Sequence, residues 1–212
     1  MFYEMLHALE ETLFMVLTAG ILTLLIGIPF GIYLYLLSFD QKLWHKTIYR
    51  MLFTVTNLAS TLPYFVLVIL LIPLLRILFG TEASVSSAIL TLALATIFPF
   101  SAEIQRALNA LPIGYNDLAR SLGFSRVRWV MKVSLKEVMP VILPRYAQQL
   151  NQLMGYSVIA GVFGAGGLGG LLIAKGYQNF EISYVVATVL LVFLLTQVIR
   201  LSVQYFTHDQ SH

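Results

Sequence analysis

Amide side chains inside an apolar stretch are the residues of this sequence whose types could do chemistry. One such stretch carries Gln148, Gln149, Asn151 and Gln152, and three of them, Gln148, Asn151 and Gln152, share a helical face. Amides are costly in hydrocarbon unless they hydrogen-bond or meet water. We therefore expect this face to line a polar pathway through a membrane, with hydrogen bonding between helices as the alternative.

A second set of polar side chains lies in an earlier apolar stretch. Asn57, Ser60, Thr61 and Tyr64 fall at i, i+3, i+4 and i+7, which places them on one face of the helix predicted over residues 51–71. Either this face lines the same pathway, or its hydroxyls satisfy a backbone carbonyl that Pro63 leaves free. Two residues that follow the amides complete the pathway candidates: Tyr156 and Ser157.

The sequence offers little for catalysis or metal binding. Neither a His-Glu-x-x-His nor a Gly-x-Ser-x-Gly motif occurs, and there is no cysteine for disulfides, thiolate chemistry or metal ligation. The histidines all lie in predicted tails or loops: His7, His45, His208 and His212. We expect no catalytic residue, no metal site and no cofactor on this chain, which leaves an intramembrane enzyme as a distant alternative.

Composition identifies the medium in which these residues work. The 212 residues are 58% hydrophobic and 11% charged, with a mean hydropathy of +0.83. Soluble domains are about half apolar and about a quarter charged, so this is an integral membrane protein. The net charge of +3 is too small to indicate nucleic-acid binding.

The apolar stretches predict an all-α membrane protein in which residues 1–212 form a single domain. Each stretch is long enough to cross a bilayer core, which needs about 20 apolar residues. We expect the first one to be retained, because its flank carries glutamates instead of the lysines of a cleaved signal. The expected spans cover five ranges, about 12–37, 51–71, 85–102, 141–163 and 182–205.

Charge sets the orientation of these spans. Lysine and arginine concentrate in the 40–50 loop, in the central loop and beyond Arg200, whereas the other side carries mainly glutamates. By the positive-inside rule the first group is cytoplasmic, which places the N-terminus outside the cell and the C-terminus in the cytoplasm.

Residues 110–140 form the one long segment that is both charged and patterned. Two short amphipathic helices are predicted in it, the first ending at Gly123 and the second ending before Pro140. A rigid helix between two spans is suited to transmitting a push from a partner.

The motifs of this loop carry a family resemblance. Asp117-Leu118-Ala119-Arg120-Ser121-Leu122-Gly123 is followed by Leu135-Lys136-Glu137-Val138-Met139-Pro140. This order resembles the coupling loop of binding-protein-dependent ABC importer permeases. The resemblance implies that the first seven of these residues contact a separate ATP-hydrolysing subunit, which would use the ATP.

A glycine-rich run narrows the resemblance. Gly155-Tyr-Ser-Val-Ile-Ala-Gly-Val-Phe-Gly-Ala-Gly-Gly-Leu-Gly, together with the predicted spans, is similar to the permease subunits of methionine ABC importers. Three of its glycines also match the dinucleotide fingerprint, but no strands surround them and we interpret the run as a turn between spans. The resemblance implies a type I importer permease in a bacterial inner membrane. It also implies a homodimer with two ATPase subunits and an extracytoplasmic binding lipoprotein, transporting D- or L-methionine.

The sequence departs from this family at particular positions. Leu118 replaces a usual alanine, Lys136 a common proline, and Ser60 stands where many relatives carry arginine. The alternatives are a permease for another amino acid or small polar solute, or an assembly protein that shares the fold.

Overall fold

The computed structural model describes residues 1–39, 43–112 and 114–208, and within them all side chains except those of 116, 117, 120 and 202–208. All regular secondary structure in these residues is helical. The helices are α1 Phe2–Ser38, α2 Leu43–Thr61, α3 Tyr64–Phe79, α4 Val85–Asn109, α5 Gly114–Ser121, α6 Arg126–Trp129, α7 Leu135–Ala160, α8 Gly167–Leu171 and α9 Ile182–His208, with π-helical turns at Val130–Ser134, Gly161–Ala165 and Leu172–Tyr177.

Three helices are long and apolar enough to cross a membrane by themselves: Phe2–Ser38, Val85–Asn109 and Ile182–Leu201. Two further candidates are bent pairs, α2 with α3 and the run Arg126–Ala165 with Gly167–Tyr177, which bring the number to five if each pair is one span. The all-α membrane fold predicted from composition is confirmed, and most helices extend beyond the predicted spans.

Helix α1 packs closely along α4. The contact uses Gly27 and Gly31, because a Cβ at Gly31 would lie 2.7 Å from the backbone oxygen of Ser101. The Ser101 hydroxyl donates to the Gly27 carbonyl at 3.1 Å. Small residues four apart let two helix backbones approach each other, and this close approach positions α4 at the centre of the bundle.

The predicted single helix over residues 51–71 is wrong. Helix α2 ends at Thr61 and α3 begins at Tyr64, and the two axes differ by 116°. Pro63 has no N–H to continue the α2 ladder, and its extended ψ of 137° turns the chain out of the helix. Asn57, Ser60 and Thr61 therefore do not share a helical face with Tyr64.

The sequence indicated that the second helix of the central loop ends before Pro140. In the structure the helix continues past this residue. Helix α6, the π-helical turn and α7 form one continuous helical run that passes Pro140 and Pro144. Val138 and Ile142 on either side of Pro140 are buried in one apolar cluster with Phe100 of α4. This packing, with the preceding π-helical turn, keeps the helix intact where a proline removes one hydrogen bond.

The glycine-rich run interrupts the helix that precedes it, as predicted for a turn. Gly164, Gly166 and Gly167 have positive φ of 88°, 83° and 67°, a region open to glycine without steric cost. Helix α8 starts here, and its first N–H groups are capped from α1. The Thr12 hydroxyl accepts the N–H of Leu168 at 2.8 Å.

Candidate functional site

A polar cavity of about 280 Å³ lies where the α2–α3 break meets α4 and α7. The break exposes the end of α2, and α4 and α7 close the other walls. Its polar and aromatic lining residues are Ser60, Tyr64, Glu103, Arg106, Gln149, Gln152 and Tyr156.

This cavity collects some of the predicted pathway residues and omits others. Ser60, Tyr64, Gln152 and Tyr156 line it. Five candidates are not among its lining residues: Asn57, Thr61, Gln148, Asn151 and Ser157. The α7 residues that do line it, Gln149, Gln152 and Tyr156, are spaced i, i+3 and i+7, so the face of α7 at this cavity is rotated from the predicted one.

Hydroxyls near the Pro63 break satisfy backbone carbonyls of α2. Ser60 donates to the Thr56 carbonyl at 2.7 Å, and Thr61 donates to the Leu58 carbonyl at 2.9 Å. Both are local bonds from a hydroxyl to a carbonyl three or four residues earlier in the helix, and the Leu58 carbonyl also accepts the Leu62 N–H at 3.2 Å. The carbonyl that Pro63 leaves free in the helical ladder is that of Ala59, and neither hydroxyl donates to it. Ser60 lines the cavity and Thr61 does not.

Two tyrosines form the aromatic wall of the cavity. The rings of Tyr64 and Tyr156 stack with centroids 4.6 Å apart and planes 12° from parallel. Tyr64 is buried, and its hydroxyl shares a hydrogen bond of 3.0 Å with that of Thr91 on α4. This bond ties the ring at the start of α3 to α4.

Gln149 is the lining residue that the sequence prediction excluded from the pathway face. Gln149 as a whole is 8% exposed. Among the described residues its Oε1 atom has no hydrogen-bond partner. A buried amide oxygen without a donor is costly, and Gln149 is also one of the residues that line the cavity.

Charged side chains stand at the α5 end of the cavity. The Arg106 Nη1 atom lies 3.1 Å from the Glu103 carboxylate, and Arg145 of α7 pairs with the same carboxylate. Two guanidinium groups and one carboxylate leave one net positive charge at this rim. In the sequence, this charged rim corresponds to Glu103 and Arg106, which directly follow the predicted span over residues 85–102.

The loop helix α5 is the second element of the site. It ends in a Schellman turn, because Gly123 has φ +71° and the Phe124 N–H bonds to the Ala119 carbonyl at 3.0 Å. Gly123 therefore ends the helix as predicted.

The side chains of the loop helix differ in exposure. Leu118 and Leu122 are exposed, whereas Ala119 is buried, so leucine side chains face outward here. Ser121 is exposed and its hydroxyl donates to the Leu118 carbonyl at 2.9 Å. Asp117 and Arg120 belong to the helix backbone, and their side chains lie outside the described part.

An aromatic cluster fastens α5 to the long helical run. Trp129 of α6 is buried, and its ring meets Phe124 and Tyr115 edge-on at centroid distances of 5.7 and 6.5 Å. Burial, followed by the nearby Glu137 carboxylate, raises the pKa of Tyr115. This cluster connects α5 to the helical run that carries Gln149 and Gln152.

A helical bundle with a polar cavity between its spans, and a packed helix projecting from one end, is the architecture of a membrane transport protein. The sequence matches the family of binding-protein-dependent transport system inner membrane components over residues 27–211. The chain belongs to this family, which confirms the resemblance of its loop and glycine-rich run.

Individual relatives resemble the chain along nearly its whole length. The probable D-methionine transport system permease protein MetI of Vibrio cholerae is 34% identical over 197 residues, which cover 92% of this chain and 87% of the relative. The corresponding protein of Pasteurella multocida is 31% identical over 186 residues, covering 87% and 86%.

Solved structures share the fold. A chain from inward-facing conformations of the MetNI methionine ABC transporter has a TM-score of 0.90 at 27% identity, covering 99% of this chain and 97% of that one. A chain from an amino acid ABC transporter crystallised with histidines has a TM-score of 0.74 at 20% identity, covering 97% and 93%.

Proposed function

We propose that this chain is the permease subunit of an ATP-driven ABC importer that moves methionine, as the L or the D enantiomer, across a bacterial inner membrane. The observation that carries this proposal is one helical run. It holds a polar cavity wall at Gln149 and Gln152 and the aromatic anchor of an exposed loop helix at Trp129. The names of the similar permeases support methionine as the solute.

The loop helix is the proposed contact for the ATPase subunit. The exposed Leu118 and Leu122 side chains offer an apolar surface that a cleft of the partner can bind. The turn at Gly123 ends the helix beside this surface. ATP is hydrolysed by that partner, and this chain binds no cofactor. The proposed coupling residues are Asp117 to Gly123, as the resemblance of this loop to the family implies.

The working assembly is proposed to contain two copies of this chain, two ATPase subunits and an extracytoplasmic binding lipoprotein. Residues 1–212 act as one transmembrane domain with the N-terminus outside and the C-terminus in the cytoplasm. The distribution of lysine and arginine supports this orientation. The Arg106 rim and α5 then face the ATPase compartment.

Transport follows from coupling these parts. A movement of the ATPase subunits displaces α5, the Trp129 cluster passes the displacement to the α6–α7 run, and the cavity wall formed by α7 shifts against the Tyr64 side. Pathway residues are then Ser60, Tyr64, Gln149, Gln152 and Tyr156. The other predicted candidates belong to the pathway only if the second subunit or another conformational state brings them to it.

Uptake of radiolabelled methionine tests this function. The chain would be co-expressed with its genomic ATPase and binding-protein neighbours in a strain without methionine importers of its own. We expect ATP-dependent uptake that unlabelled methionine suppresses and other amino acids do not. Suppression by a different solute would reject methionine, and the absence of any complex with the ATPase would reject the permease assignment.

A further inference from the structure

An apolar groove of about 350 Å³ lies between the beginning of α1 and the first half of α9. Its lining residues all have apolar side chains: Phe2, Met5, Leu6, Leu9, Ala187, Leu190, Leu191 and Leu194. In each helix they follow the spacing i, i+3, i+4 and i+7, so each helix turns one apolar stripe toward the groove. Stripes of this kind normally bury against each other, whereas here a space remains between them.

A polar cluster joins the two helices at one end of the groove. The Tyr184 hydroxyl donates to the Glu4 carboxylate, and the Lys175 ammonium pairs with the same carboxylate at 3.3 Å. Glu4 precedes Met5 of the groove, and Tyr184 lies three residues before Ala187. In the orientation proposed for the chain, this end of the groove is extracytoplasmic.

We propose that the groove binds one acyl chain of a phospholipid from the outer leaflet, with the lipid phosphate at Lys175. The site is separate from the polar cavity and does not depend on which solute is transported. Its place in the outer leaflet rests on the proposed function, which sets the orientation of the chain.

The dimensions of the groove fit an extended hydrocarbon chain. From Phe2 to Leu9, seven residues at about 1.5 Å each rise about 10 Å along α1. A volume of about 350 Å³ over this length corresponds to a cross-section of about 35 Å², or about 6 Å across. An α-helix with its side chains is about 10 to 12 Å wide, so a helix of another subunit does not fit between the two stripes.

The chemistry of the wall favours a lipid chain over an extended peptide. A peptide brings backbone N–H and C=O groups that need hydrogen-bond partners in hydrocarbon, and the side chains lining the groove have no nitrogen or oxygen atom. An acyl chain has no polar group along its length and makes dispersion contacts with such a wall.

The groove is also open to the bilayer. Helix α9 is one of the candidate membrane spans, so the stripe from Ala187 to Leu194 lies at the depth of lipid tails. Leu6, on the opposite wall, and Leu190 and Leu194 of this stripe are all exposed. A lipid chain can therefore enter the groove from the side.

Lys175 supplies the contact for the head group. Its side chain is 34% exposed, and its Nζ atom lies 5.9 Å from the centre of the Tyr184 ring. An ammonium group has three N–H donors, so donors remain for a phosphate oxygen beside the ion pair with Glu4. Lysine and tyrosine are both common where a span meets the head groups, because each combines an apolar body with a polar tip.

Photo-crosslinking in nanodiscs tests the site. The permease–ATPase complex is reconstituted with a phosphatidylethanolamine that carries a diazirine in one acyl chain, and the labelled peptides are identified by mass spectrometry. We expect the label to concentrate on residues 2–9 and 187–194. A diacylglycerol with the same photoactive chain lacks the phosphate and should label these residues roughly fivefold less, because it loses the attraction of the lysine.

Two tryptophan substitutions on α1 assign the label to the groove. Leu6→Trp fills the groove and should reduce labelling of residues 187–194 to the level of the rest of α9. Leu17→Trp is the matched control, because Leu17 is exposed on the same helix but does not line the groove. Both complexes are first checked for the parent melting temperature. Leu190→Trp, with residues 2–9 as the readout, replaces Leu6→Trp if the latter does not assemble.

Different outcomes would overturn different parts of the proposal. Even labelling along α1 and α9, or labelling that Leu6→Trp leaves unchanged, would overturn the lipid site, and the importer function would stand if the same complex takes up methionine. Crosslinking of Leu6→Cys to a second copy of the chain would make the groove a subunit interface and also overturn the site. Equal labelling by phospholipid and diacylglycerol would overturn the assignment of the phosphate to Lys175.

Discussion

The Glu11 carboxylate accepts the backbone N–H of Gly167 at 2.6 Å, although 156 residues separate them in the chain. Together with the Thr12 hydroxyl on Leu168, this bond closes the start of α8 against α1. A carboxylate beside the first N–H groups of a helix is favourable for both the hydrogen bond and the helix dipole. Helix α1 thus fixes the position of the glycine-rich break.

Alanine at Gly166 should disturb this contact. Its φ of +83° is strained for an L side chain, and a Cβ would lie 2.6 Å from Glu11 Oε2. Its ψ is −151°, a region essentially limited to glycine, so we expect a loss of stability of roughly 1 to 3 kcal/mol from strain, with the clash added, measured as a lower melting temperature in detergent. Gly80→Ala is the control, since Gly80 has φ +73° but no atom within 4 Å of its Cβ. Equal losses in the two variants would show that the Glu11 contact contributes nothing.

Substitution of Gly31 should separate α1 from α4. A Cβ there would lie 2.7 Å from Ser101 O and 2.8 Å from the Ile104 Cβ. Overpacking of this kind costs about 1 to 3 kcal/mol, so Gly31→Ala should unfold at a lower temperature. The matched helical control is Gly155→Ala, where no atom lies within 4 Å and the gain in helix propensity should stabilise the protein slightly. A Gly31→Ala protein as stable as the control would contradict the close packing.

The turn at Gly123 should be needed for coupling. Gly123→Val places a β-branched side chain at φ +71°, which should distort the end of α5 and abolish ATP-dependent uptake while the protein stays in the membrane. Asparagine tolerates this backbone region, so Gly123→Asn should retain most of the uptake. Because a Cβ at Gly123 meets no atom within 4 Å, the difference reports backbone geometry. Normal uptake by the valine variant would count against α5 as the coupling element.

The loop between α3 and α4 should be sensitive to acid. Arg76 donates to both Glu82 oxygens, at 2.8 and 2.7 Å. This pairing lowers the pKa of Glu82 from 4.5 to about 2. A lowered pKa means that the pair stabilises the folded state above pH 4.5 and that this contribution is lost as the pH falls toward 2.

Melting temperatures of the parent and Glu82→Gln across this pH range test the pair. The parent should be the more stable above pH 4.5, and the gap should close on acidification. A gap that does not change with pH would mean that the ion pair has no part in it.

Sequence patterns predicted the parts of the fold that depend on local chemistry. Long apolar stretches indicated membrane helices, and the glycine at 123 ended its helix as expected. Prolines were less informative, because the same residue breaks one helix at Pro63 and lies inside another at Pro140. The difference is tertiary: Val138 and Ile142 hold α7 against α4, whereas α2 has one buried residue among those described, Thr56.

The cavity was harder to predict than the helices. Amides occupy more than one face of α7, so polarity alone does not show which face is turned toward Tyr64. Packing decides it: Leu153 and Met154 are fully buried in the core, and this rotates Gln149 and Gln152 toward the cavity and leaves Gln148 exposed. The pairing of Glu103 with Arg145 likewise depends on the approach of α4 and α7, because these two residues are 42 positions apart in the chain.

ATP turnover, acting through α5, should change access to the cavity wall. The chain has no cysteine, so single cysteines at Gln152, in the cavity, and at Gln148, outside it, report access to a water-soluble thiol reagent in the assembled transporter. We expect labelling at position 152 to change when ATP and vanadate trap the ATPase, labelling at 148 to stay constant, and Gly123→Val to abolish the change at 152. Nucleotide-independent labelling at 152, or a change that survives Gly123→Val, would contradict coupling of the cavity to the ATPase through α5.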